Sequence, residues 1–168
     1  SNSLKRAGHS CFPNWNRGGP NHEELSCLIG IYEYFNNLYN HHFPNENNTL
    51  RRKIEKINEL ISHHEEQIAN PLLEYINSRN DIKLIGKKKI ENKNRAPTIS
   101  FTFDNQPSKN ISNKLIEKGV ATRNDNFYAW RCLKALGIDT DDGVIRTSMV
   151  HYNTSEDVEK LIKALKQI

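Results

Sequence analysis

The sequence predicts an α/β chain: two long helices, then a small α+β unit in which a mixed or antiparallel sheet is covered by helices. Three observations carry this expectation. Apolar residues recur at helical spacing through residues 21–39 and 49–78. From Asp81 the pattern turns to alternation, with strand-like runs at Ile82–Leu84, Thr98–Phe103 and Val144–Val150. Between and after those runs lie helix punctuation marks, Gly119, Gly137 and Thr154.

The elements follow in order. Residues 1–20 are rich in Gly, Asn and Pro without any period, which reads as loop. Pro20 suits the first turn of a helix, and Glu23 and Glu24 suit the positive end of its dipole. Leu25, Leu28, Ile29, Tyr32, Phe35 and Leu38 or Tyr39 give that helix one apolar face, which needs something to pack on. A polar break over 36–48 precedes a long helix from near Thr49 toward Ser78. Pro71 falls inside its apolar stripe and is expected to kink or split it near Asn70, because proline removes a backbone donor and crowds the preceding turn. After the first two strands, a helix over 108–118 ends at Gly119, and Val120–Arg123 forms a short strand. A helix over Phe127–Leu136 closes at Gly137, with Cys132 packing beside Leu133 and Leu136. Thr154 with Asp157 three residues on forms a capping box for a last helix that buries Val158, Leu161, Ile162, Leu165 and Ile168. Three divisions are expected: 1–47, a connecting helix over 48–80, and a small domain over 81–168.

Bulk properties exclude several classes. At 168 residues the chain is long enough for about one domain. The net charge of +4 is too mild to indicate nucleic acid, and the run Lys87–Lys89 has no interleaved aromatics. No stretch approaches the roughly 20 apolar residues of a membrane span. Cys11, Cys27 and Cys132 match no zinc spacing and read as reduced thiols of a cytoplasmic protein. His63-His64 fails the i, i+4 metal pattern because Ile68 stands four residues after His64, and His41-His42 has no third ligand nearby, so no metal is expected.

The site candidates are cationic. Arg146 lies mid-strand among Val144, Ile145, Met149 and Val150, where a charge needs a partner. Its planar fork suits a ligand carboxylate; the competing reading is a strand-edge arginine facing water or paired with Asp142. Arg123 opens the polar loop Asn124-Asp125-Asn126. In the segment Asn16 to Glu23, Gly18 and Gly19 permit close backbone approach, and a helix start follows, an arrangement that favours an anion such as phosphate.

These segments together, APTISF from Ala96, ATRNDNFYAWRCLKALG from Ala121 and GVIRTSMVHYNTSEDVEKL from Gly143, resemble the carboxyl end of class V aminotransferases of the cysteine desulfurase group, which use pyridoxal phosphate. The resemblance implies that Arg146 holds the α-carboxylate of a small amino-acid substrate, with Arg123 and Asn126 beside it. It implies that Gly18, Gly19 and Asn21 approach the cofactor phosphate of the partner subunit in a homodimer, with Gly19 standing where the family has a threonine. His151 and Tyr152 fall in an HYNT stretch that ends a strand and starts a helix. In related desulfurases the loop after the first arginine carries a persulfide-forming cysteine; RNDNFYAW has none. The Schiff-base lysine, the aspartate at the ring nitrogen and the stacking histidine belong to a large domain with no counterpart in this sequence, and Lys5 shows no such motif. The resemblance therefore implies a carboxyl-terminal portion, with residues 1–47 as the tail of the large domain, carrying no catalytic residue of its own. The competing expectation is a non-catalytic interaction module that keeps the small-domain fold.

Overall fold

The computed structural model describes residues 22–91 and 93–168. Helix α1 spans His22–His42 and helix α2 spans Leu50–Ser78. They are followed by β1 (Ile82–Ile85), β2 (Thr98–Phe103), α3 (Ser108–Glu117), β3 (Arg123–Asp125), α4 (Trp130–Ala135), β4 (Val144–Ser148) and α5 (Ser155–Leu165). The chain divides into two compact units between Ile57 and Asn58, within α2.

In the first unit Tyr39 is fully buried, and its hydroxyl accepts from the Asn48 amide. Lys53 lies over the Tyr39 ring at 5.0 Å and donates to Asn36. Lys56 lies over Phe43 at 4.3 Å and pairs with Glu46. The Lys56 ammonium is the main reason the Glu46 carboxyl sits below its ordinary range. Most of the apolar residues of α1 face outward, Leu28 and Ile29 being 57% and 62% exposed.

The second unit is a four-stranded antiparallel sheet in the order β1-β2-β4-β3. Alternation sets its two faces. Ile82, Ile99, Phe101, Phe103 and Ile145 point to one side and join a core with Ile68, Leu72, Leu73 and Ile76 of α2, Ile111 and Leu115 of α3, and Val158, Leu161 and Leu165 of α5. The other face carries Lys83, Ser100, Thr102, Arg123, Arg146 and Ser148, all exposed or half-buried.

Helix α2 runs unbroken through Pro71 instead of splitting there. Ala69, Leu72, Leu73 and Ile76 around the proline are wholly buried, and burial of such side chains, worth about 1.5–3 kcal/mol each for the larger ones, holds the helix against one lost hydrogen bond. Asn70 is fixed outward of this seam: its side chain donates to the Ile90 carbonyl at 3.0 Å and accepts from the Ile90 N–H at 2.9 Å. At the exit of α2, Arg79 grips both oxygens of Asp81 at 2.7 and 2.6 Å, which leads the chain into β1.

Helix α3 stops at Gly119, whose φ of +71° supplies the left-handed turn. Helix α5 starts with the capping box: Asp157 N–H donates to Thr154 Oγ1, and the Thr154 N–H donates back to the Asp157 carboxylate at 3.0 Å. Two boundaries differ from the expectation. β3 begins at Arg123, about three residues late, and α4 covers only Trp130–Ala135. A six-residue helix has room for one buried position, Leu133, so Cys132 and Leu136 stand exposed rather than packed.

Candidate functional site

The site is built on β3 and β4. In their antiparallel ladder Arg123 is directly opposite Arg146, and Arg146 is in turn opposite Ser100 of β2. Residues facing each other across a ladder share a face, so both guanidinium groups and the Ser100 hydroxyl stand on the side opposite the main hydrophobic core. Arg146 is half-buried and Arg123 exposed.

Asp142 does not serve Arg146. Its carboxylate accepts twice from the Ser108 N–H, at 2.8 and 2.9 Å, where it meets the positive end of α3. Among the described residues no carboxylate lies within ion-pair distance of Arg146 or Arg123. The Arg146 guanidinium instead sits over the Phe127 ring, 3.8 Å from its centroid, and the Arg123 guanidinium lies 5.7 Å from the same centroid. Sequence reasoning did not single out Phe127. The signal available was only its closeness to Arg123 in the chain; the contact with Arg146 follows from a pairing made after α4 intervenes.

The loop after β3 has an unusual backbone. Phe127 and Tyr128 have φ of +51° and +61°, in place of the first turn of a helix. Asn126 imposes this turn. Its Oδ1 accepts from the Tyr128 N–H at 3.0 Å, its Nδ2 donates to the Thr140 carbonyl at 3.4 Å, and its own N–H donates to Asp125 Oδ1 at 2.7 Å. The side-chain amide of Asn126 is thus engaged at both ends, next to the arginines. Tyr128 is left 99% exposed. Gly18, Gly19 and Asn21 lie outside the described residues.

The remaining candidates are placed elsewhere. His64 Nε2 donates to the Asn153 carbonyl at 2.8 Å, and His63 contacts Gln67. Among the described residues no group of three His, Cys, Asp or Glu side chains is arranged to hold a metal ion. No described helix is long and apolar enough to cross a membrane. None of the described lysines is buried. A Schiff-base lysine needs a prepared, desolvating pocket.

Relatives bear on what this arrangement serves. The aminotransferase-like protein FGM3 of Gibberella zeae is 33% identical over 109 residues, covering 64% of this chain and 27% of that protein. A probable cysteine desulfurase of Pseudomonas putida is 29% identical over 107 residues, covering 64% of this chain and 24% of that protein. The chain thus spans about a quarter of the length of these relatives. Among solved structures, the apo cysteine desulfurase of Thermococcus onnurineus NA1 aligns over 70% of this chain and 29% of its own, at 22% identity and a TM-score of 0.57. The NifS-like protein of Rickettsia africae ESF-5 aligns over 68% and 30%, at 18% identity and a TM-score of 0.54. These structures share the fold, a small antiparallel sheet with helices. The family model for class-V aminotransferases matches residues 51–161, which include β1 to β4 and both arginines, and the chain belongs to that family.

Proposed function

We propose that Arg146 and Arg123 form the carboxylate clamp for a small amino-acid substrate, and that this chain supplies that side of the site in a pyridoxal phosphate enzyme of the cysteine desulfurase-like kind. The observation that carries the reading is the facing pair itself: two guanidinium groups opposed on the open face of the sheet, with no carboxylate partner among the described residues. Like charges directly opposite each other cost stability. A ligand carboxylate repays that cost by taking hydrogen bonds from both forks, each charge-assisted. Asn126 holds the turn that carries the loop past them, and Ser100 adds a hydroxyl to the same row of the sheet. The pyridoxal group, when bound in the whole enzyme, supplies the electron sink for bonds at the amino-acid α-carbon. The part of this chain is to bind and orient the carboxylate. By itself the chain is expected to turn nothing over.

The test is a titration of the 168-residue chain with sodium L-alanine, followed through the arginine Nε–Hε resonances. Saturable shifts of the Arg123 and Arg146 signals are expected, and Arg146→Ala should weaken binding at least about tenfold, as fits a charge-assisted pair worth roughly 1.5–3 kcal/mol. An unchanged response in Arg146→Ala overturns the clamp.

One observation favours an interaction role beside or instead of this. On α1, Leu25, Leu28, Ile29 and Tyr32, which recur at helical spacing, are each at least 48% exposed. A contiguous apolar helix face of this kind fits self-association, the homodimer expected of the family. Sedimentation equilibrium of the chain and of Leu28→Asp separates the two readings: a dimer that Leu28→Asp dissociates supports the interface, and a monomer throughout removes it.

A further inference from the structure

We propose that Phe127 is the positioning residue of the arginine pair: its ring takes the place of a counter-ion, holding the two guanidinium groups while leaving their N–H donors free for the ligand. This rests on the clamp reading and adds the group that makes the clamp workable.

Three observations lead here. First, the pair needs a holder. Arg123 and Arg146 are register partners, and neither of the acids nearest to them in sequence lies within ion-pair distance of them: Asp125 Oδ1 accepts from the Asn126 N–H and Asp142 from the Ser108 N–H. Second, the ring is the group both arginines share, at 3.8 and 5.7 Å, each within the roughly 6 Å reach of a cation–π contact. Third, the backbone is bent to bring the ring there. A bulky residue at φ +51° is costly, and its neighbour at +61° doubles the cost. The Asn126 turn holds both, and Gly143 keeps its place only because no Cβ stands between it and Asp125. General packing does not explain this effort: Phe127 is half-buried and lies outside the main core cluster.

The chemistry distinguishes a ring from a carboxylate as holder. An aspartate or glutamate would neutralise a guanidinium by occupying its N–H fork, the same donors a substrate carboxylate needs. An aromatic face attracts the cation through its quadrupole and accepts no such bond, so the fork stays vacant. Phe127 therefore fixes where the fork points without competing for it.

The alanine titration, applied to Phe127 variants, tests this. Phe127→Leu keeps an apolar side chain and removes the quadrupole; it should weaken alanine binding roughly three- to thirtyfold, the range of one to two cation–π contacts. Phe127→Tyr and Phe127→Trp should restore it. Phe127→Glu supplies the competing carboxylate and should abolish binding while the melting temperature is kept or raised, an outcome a packing role would not produce. The amides of Ile145 and Leu161 report whether the fold survives, and if Phe127→Leu unfolds, the Tyr and Glu variants decide. Wild-type affinity in Phe127→Leu or in Phe127→Glu overturns the positioning role and leaves the clamp standing. Absence of alanine binding in the wild-type chain removes the clamp, and this proposal with it.

Discussion

Gly143 stands so close to Asp125 that a Cβ on it would fall 2.3 Å from the Asp125 carbonyl carbon and oxygen, and 2.7 Å from the Asn126 nitrogen. All three are backbone atoms, which cannot swing aside as a side-chain tip can. Gly143 also has φ of +70°, open to glycine and costly for other residues.

The first prediction follows from that contact. Gly143→Ala pays for both the left-handed backbone and the overlap, roughly 2–5 kcal/mol together. Urea denaturation should show this loss. The damage should fall on the β3–β4 ladder, so hydrogen exchange of the Asn124 and Ile145 amides should rise before that of Leu161 in α5. A variant as stable as the wild type would mean that the chain here is free to move apart.

Facing arginines predict a trade between stability and binding. Arg123→Gln removes one of two opposed like charges and should stabilise the chain by up to about 1 kcal/mol. Added salt should stabilise the wild type more than the variant, because screening relieves a repulsion that only the wild type has. Alanine affinity should fall at the same time. Loss of stability in Arg123→Gln would show that the arginine is held by a partner stronger than the repulsion.

A third prediction concerns pH. The Asp157 carboxyl is held below its ordinary range chiefly by the Thr154 backbone N–H and then by the Asn153 side chain. A carboxyl depressed in the folded state contributes stability that is complete at neutral pH and is lost as pH falls through the folded value. Asp157→Asn should thus be less stable than wild type at pH 7, and the two should converge as the solution is acidified below the ordinary carboxylate range. Thr154→Ala removes the other half of the box and should cost about 1 kcal/mol. A gap between wild type and Asp157→Asn that does not narrow in acid would assign the difference to something other than charge.

Local signals in the sequence carried much of the fold. The Thr154–Asp157 box, the stop at Gly119 and the alternation of Ile99, Phe101 and Phe103 are short-range features, and each appears in the structure where its residues put it. Long-range effects are what the sequence did not display. The split that Pro71 allows does not occur, because of the burial of Leu72 and Leu73 in a core shared with distant strands, which cannot be seen from neighbours in the chain. Phe127 and Tyr128 read as the start of a helix because their apolar spacing fits one, yet Asn126 captures the Tyr128 N–H and turns the chain first. The arginines could be named from their surroundings in sequence. That they face each other over one ring depends on β3 pairing with β4 across an intervening helix, which no local pattern encodes.

The separation of the sheet into a packed side and an open side has a consequence for how such a chain can diverge. Ile99 and Ser100, or Ile145 and Arg146, are neighbours in sequence yet stand on opposite faces, one in the core and the next outside it. Under the proposed clamp, exchange of Ser100 or Arg123 alters the face that carries the arginines without touching the hydrophobic interior, so changes there carry little risk to folding.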